Sequence, residues 1–264
     1  LEGINKAKKE KRRRLMMKMT KRTGATAAAA MLVIAAMANL SPVTANAMED
    51  IPVLGAIAKV VTFRTYEDTK DHYEAKIDIP KVSVNNEDNE TVNRSIEEYA
   101  RQLIAEYEKE VTGNLAGGGY YSVTSGYDVV TDNAKYLSLR ITTVVMASGT
   151  EYVKIFTIDK STGKVVTLKD LLKDRGDYIA AVSDNIKMQM KEQMAEDDSR
   201  MYFYNDGGSS VTESSAEGFD RITGDESFYF NKNGEIVIVF DEYEVAPGYM
   251  GAVEFTIPKS VTGY

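Results

Sequence analysis

The chain contains no cysteine and no tryptophan, and in 264 residues it has a single histidine, His72. Without cysteine there is no disulfide framework and no thiolate metal site. One histidine cannot form a His-pair zinc site. His72 sits in the polar stretch "EDTKDHYEAK" and reads as an exposed turn residue. The hydrophobic share of 43% is enough for one or two modest domains with cores of their own.

Charge is unevenly spread. Residues 1–47 hold ten of the Lys and Arg but only Glu2 and Glu10 among the acids, a net of +8. The remainder carries 22 basic and 38 acidic residues, a net of −16. A basic head on an acidic body points to two compartments. The head, "LEGINKAKKEKRRRLMMKMTKR", reads as a solvated basic flank. No folded basic domain stands behind it, so no nucleic-acid partner is expected. The chain opens on Leu1 rather than methionine, which leads us to expect more sequence upstream.

From Gly24 to Ala47 there is no charged side chain. At about 1.5 Å per residue such a helix can cross a bilayer core of roughly 30 Å. We expect a cytoplasmic basic tail over 1–22 and a single transmembrane helix over 23–45. The basic flank keeps the N-terminus inside and sends the body outside. "SPVTANAMED" ends this segment, and Ala45-Asn46-Ala47 before Met48 has the small-x-small pattern that signal peptidase cuts. Two readings stand. A start at Met17 would make an ordinary secretory signal; the long upstream extension favours a retained anchor with a cleavable end. Residues 46–62 follow as a cleavage site and juxtamembrane segment, with Ile51, Leu54, Ile57, Ala58 and Val61 at helical spacing.

The body reads as α+β, with helices packed on largely antiparallel sheet. "YEAKIDIPKVSV" alternates as a strand. "TVNRSIEEYARQLIAEYEKEV" places Val92, Ile96, Tyr99, Leu103, Ile104 and Tyr107 on one helix face. "YYSVTSGYDVVT", "YLSLRITTVVMA" and "EYVKIFTID" form a meander joined by short turns. A short and a long helix follow from Thr167, the long one with Ile179, Val182, Ile186 and Met190 as its core stripe. "ESFYF", "EIVIVF" and "GAVEFTIP" are the last strands, the first two joined by a tight hairpin in which Asn233 and Gly234 both take positive φ. Two outer units are expected, over 63–160 and 161–264.

No catalytic signature emerges. The glycines of "TGNLAGGGY" lack a following helix with Lys and Ser or Thr, so they make no phosphate cradle. "DKSTGK" and "EDDSR" lack calcium-loop spacing, and no cofactor or metal is expected. Asp241, Glu242 and Glu244 could be posed as an acid/base set, but strand alternation would put Asp241 on the opposite face from the other two. "DEYEVAPGYMG" instead reads as a displayed surface. Pro247-Gly248 fits the centre of a type II turn, which would present Tyr249 and Met250 beside Tyr243. Tyrosines on a rigid turn suit an interface; tyrosines tucked into the core are the other reading.

At this stretch the chain resembles a known family. "FDEYEVAPGYMGAVEFTIP", "TIDKSTGKVVTLKDLLKD", "NIKMQMKEQM" and "ANAMEDIPVLGAIAKVVTF" together resemble the RsiV-type anti-sigma factors, membrane proteins of Gram-positive bacteria. The resemblance runs from about residue 20 onward; upstream, "LEGINKAKKEKRRR" looks like the tail of a sigma-binding segment. It implies a non-enzymatic receptor. Its cytoplasmic segment would hold an extracytoplasmic-function sigma factor. Its outer domain would bind lysozyme, exposing the joint to signal peptidase, and an intramembrane site-2 protease would then release the sigma factor. The lysozyme-binding residues carried over are Pro247, Gly248 and Tyr249, with Ser148 in the "ASGT" turn. A net of −16 suits a basic partner. Similar outer units also precede peptidoglycan deacetylase domains, which keeps a secreted or anchored wall-associated module as the alternative. One histidine cannot supply that enzyme's metal ligands.

Overall fold

A computed structural model describes residues 57–264 except 71, 114–119, 147–148 and 206–217. The transmembrane helix expected over 23–45, the expected cleavage residues Ala45, Asn46, Ala47 and Met48, and Ser148 of the "ASGT" turn lie outside the described residues. Among the described residues no helix is long and apolar enough to cross a membrane.

The first residues to be placed correct the sequence reading. Ala58 and Val61 belong not to an amphipathic helix but to strand β1, Ala58–Lys70, paired antiparallel with β2, Tyr73–Val84, from Ala58↔Val84 to Lys70↔Tyr73. The β-branched and aromatic run Val60-Val61-Thr62-Phe63 favours extended backbone once a partner strand is available. Asn85 and Asn86, both at positive φ, turn the chain into the short strand β3, Glu87–Asp88.

Helix α1, Glu90–Gly113, then crosses to β4, Tyr121–Asp132, which lies parallel to β2. The Asn89 side chain accepts from Val92 N–H at 3.2 Å and caps the helix. Val92, Ile96 and Tyr107 are fully buried, with Tyr99, Leu103 and Ile104 packed beside them, so the expected face is the core face. β5, Tyr136–Val145, β6, Thr150–Asp159, and β7, Lys164–Val165, continue antiparallel. The result is a seven-stranded sheet in the order β1-β2-β4-β5-β6-β7, with β3 on β2.

A second core gathers helices α2, Leu168–Leu172, and α3, Tyr178–Glu196, against a three-stranded sheet. That sheet orders β8, Ser227–Phe230, β9, Ile236–Phe240, and β10, Val253–Ile257, as β10-β9-β8; α4, Lys259–Thr262, closes the chain. Thr167 and Asp170 form a capping box on α2. Val182, Ile186 and Met190 are buried, so the methionine stripe is core. The hairpin corrects one expectation: Gly234 has φ +72, whereas Asn233 is not left-handed. Gly234 N–H donates to Asn231 O at 2.9 Å, and Asn231 N–H to Glu235 O at 3.0 Å.

The two cores touch where Val153 and Ile155 of β6 pack on Val239 of β9. Polar bonds lock this contact. Thr131 Oγ1 and Thr157 Oγ1 each donate at 2.7 Å to small-sheet carbonyls, of Phe230 and Phe228 respectively.

Candidate functional site

β9 and β10 are antiparallel neighbours, yet residues 241–252 are spent on joining them. Neighbouring antiparallel strands need only about two to five. Physical bonds account for each part of the excess. Where β6 runs beyond its short pairing with β7, its edge N–H groups are met by side chains instead of a strand. Glu151 N–H donates to Glu242 Oε2 at 2.7 Å, Val153 N–H to Asp241 Oδ1 at 2.6 Å, and Ile155 N–H to Ser227 Oγ at 3.1 Å. Glu242 N–H returns a bond to the Glu151 carbonyl at 3.1 Å. Covering an edge this way also blocks pairing with other strands.

Asp241 and Glu244 close the next turn on each other. Asp241 N–H donates to Glu244 Oε2 at 2.8 Å, and Glu244 N–H to the Asp241 carbonyl at 3.1 Å. β9 has already ended at Phe240, so strand alternation does not sort these acids: Asp241 and Glu242 both reach β6, contrary to the opposite faces expected. Tyr243, between Glu242 and Glu244, has φ +71, a conformation rare for a bulky residue. Its side chain is 48% exposed.

Val245 and Ala246 then enter the second core, and Phe203 N–H donates to the Val245 carbonyl at 2.8 Å. Pro247, at φ −63 and ψ 146, leads into a 3-10 turn over Gly248–Met250. Met250 N–H bonds Pro247 O at 2.9 Å and Gly251 N–H bonds Gly248 O at 3.1 Å. The type II turn is therefore not formed: the left-handed glycine is Gly251, at φ +65, and not Gly248. Gly248 is needed for a different reason. A Cβ there would run into the Tyr243 ring.

The carried-over residues divide by exposure. Pro247 and Gly248 are buried, and Tyr249 is half-buried with its hydroxyl donating to the Ser199 carbonyl at 2.9 Å. Met250 is half-buried, with Sδ accepting from Met201 N–H at 3.3 Å. Ser148 lies outside the described residues, but Glu151, three positions on, is bonded twice to Glu242. Two stretches about a hundred residues apart in sequence thus share one corner of the molecule.

Comparison with known proteins agrees with the sequence over most of its length. The chain is 39% identical to the anti-sigma-V factor RsiV of Bacillus subtilis (strain 168) over 234 residues, 87% of this chain and 78% of that protein. The chain belongs to the RsiV anti-sigma factor family. Residues 169–260 match the DUF3298 family, described as a protein of unknown function. A crystal structure of a DUF3298 family member from Bacteroides fragilis NCTC 9343 shares the fold, at a TM-score of 0.51 and 15% identity, over 79% of this chain and 92% of that one.

In this RsiV-family member the corner is electrostatically loaded. Burial raises the carboxyl pKa of Asp241, with the Val153 N–H opposing it. Burial likewise raises Glu242, Glu244 and Glu151, and neighbouring carboxylates push each of the three further the same way. Four acids are thus held close together where ionisation is disfavoured. Such a site holds negative charge that a cationic partner would relieve. The sequence reading missed the clasp on β6, which has no local signal, and Glu151, which looks like any other surface acid of a strand.

Proposed function

We propose that this RsiV-family chain is a membrane-anchored anti-sigma factor whose outer region is a receptor for lysozyme. The basic head belongs to the cytoplasmic segment that holds an extracytoplasmic-function sigma factor. Residues 23–45 span the membrane, and the outer region comprises one unit over 63–160 and a second over 161–264. Binding of lysozyme exposes the Ala45-Asn46-Ala47 joint to signal peptidase, the bond before Met48 is cut, and a site-2 protease then cuts within the span. The chain acts as a regulator and carries out no catalysis of its own.

The observation that carries this reading is 39% identity to an anti-sigma-V factor over most of both chains. The geometry supports the ligand: Glu151 meets the 241–252 loop, which carries Pro247, Gly248 and Tyr249, at one acidic corner. An acidic surface steers a basic protein and speeds its association. The test is calorimetric titration of the full chain, held in nanodiscs, with a basic c-type lysozyme at two salt concentrations. Binding that weakens with salt and with Tyr249→Ala upholds the receptor. No heat at either salt refutes it and moves the chain to the wall-associated alternative.

A further inference from the structure

We propose that Tyr243 is a further side chain of this loop that touches the partner, beside the carried-over Pro247 and Tyr249, and that Gly248 is the positioning residue that seats it. The inference rests on the lysozyme-receptor reading and names the contact within it. The loop residues from Val245 to Gly248 are buried. Tyr249 is turned back onto the Ser199 carbonyl. Tyr243 alone among the loop's aromatic residues is strongly exposed.

Its backbone argues the same way. A tyrosine at φ +71 is disfavoured where Asn or Gly would sit without strain. Among the described residues the second core is built with Phe240, Val245 and Phe255, and Tyr243 is not one of the side chains packed into it. The strained conformation is nonetheless imposed from both sides. Asp241 and Glu242 are fastened to β6 before it, and the buried Val245-Ala246 pair follows it. The ring is laid over Gly248, where any side chain would displace it. Residues held against their own preference in this manner are drawn from functional sites.

The chemistry at the tip selects the partner group. Burial, and then the neighbouring Glu242 carboxylate, raises the pKa of the Tyr243 phenol, so a neutral aromatic ring sits next in sequence to an acidic side chain. That arrangement takes an arginine or lysine of a basic protein over the ring face, with the carboxylate completing its hydrogen bonds. A rigid tyrosine also contributes contact area at small entropic loss.

A structural role and a contact role make opposite demands on Tyr243→Asn. The variant relieves the left-handed strain, so the full chain in nanodiscs should melt at or above the wild-type temperature. At the same time it should bind lysozyme at least tenfold more weakly, mainly through faster dissociation, while Tyr243→Phe retains most of the affinity. Wild-type affinity in Tyr243→Asn overturns the inference, as does a parallel loss of melting temperature and affinity. Failure of the wild-type chain to bind lysozyme at all overturns the receptor reading, and this inference falls with it. The two failures are told apart by whether the wild type or only the variant comparison gives the negative result.

Discussion

Strand β9 is flanked by two connections built on opposite plans. The turn before it, Asn231–Glu235, is made from its own residues: Asn231 Oδ1 accepts from Asn233 N–H at 2.9 Å and from Glu235 N–H at 3.0 Å, and Gly234 takes the left-handed position. The loop after it, 241–252, closes two short turns on itself but is fixed in place by residues remote in sequence. Its bonds run to Glu151, Val153, Ser199 and Phe203. The first connection obeys local preference at every position; the second places a tyrosine at φ +71 against it. A turn whose only task is to reverse the chain has no reason to depart from local preference. A loop that departs from it, and is clamped so that it must, is the one shaped for something outside the fold.

The contrast can be broken most severely at Asp241. Asp241→Ala leaves the Val153 N–H buried without its acceptor, and a loss of about 2 kcal/mol is expected in urea unfolding. Asp241→Asn keeps an acceptor at that place and should retain most of that stability; equal losses in the two variants would show that the clasp is not the cause. Gly248→Ala comes next and acts differently. Its Cβ meets the far end of the Tyr243 ring, which can swing aside, so stability should barely change. Lysozyme binding should nevertheless weaken about tenfold, roughly 1.4 kcal/mol. Smaller still is Gly234→Ala in the local hairpin. Forcing a Cβ into φ +72 should destabilise by about 1 kcal/mol and leave lysozyme affinity untouched. If Gly234→Ala reduced affinity as Gly248→Ala does, the two connections would not differ in role.

The same contrast explains what could be read from the sequence. Elements whose pattern is set by one buried face were legible: the α1 face from Val92 to Tyr107, the Val182-Ile186-Met190 stripe, and the strands β4 to β6. β1 was not, because Ile57, Ala58 and Val61 fit a helical spacing as well as an extended run, and only pairing with β2 decides between them. In the loop, Pro247-Gly248 carries a strong local signal for a type II turn. Burial of Val245 and Ala246 and the approach of the Tyr243 ring override it, and the left-handed position moves to Gly251. The acids were visible as acids, but Glu151 could not be joined to Glu242 without knowing that β6 ends beside the loop. What the sequence lacks is any local trace of contacts made across about ninety residues.

The mildest way to sharpen the comparison is pH, because carboxylates at the two kinds of place respond with opposite sign. Asp170, in the capping box of α2, has its pKa lowered by the Thr167 N–H and then by the Thr167 hydroxyl. Its folded-state pKa lies below the unfolded value of about 4, so its contribution is present above that pH and lost as the pH falls through the folded pKa. Asp241, Glu242, Glu244 and Glu151 have raised pKa values, chiefly through burial. The folded state therefore binds their protons more tightly than the unfolded state does. The stability they contribute is present below about pH 4 and is lost as the pH rises through their folded pKa values. From mildly acidic to neutral pH the urea midpoint of the wild type should fall, and that fall should be smaller in Asp241→Asn, which removes one of the four. Lysozyme binding should move the other way. A cationic partner favours the ionised acids, so affinity should rise over the same interval and complex formation should release protons, read as a dependence of the calorimetric heat on the ionisation enthalpy of the buffer. Proton uptake on binding would place the partner away from this corner, and with it would remove the reason for holding four acids there.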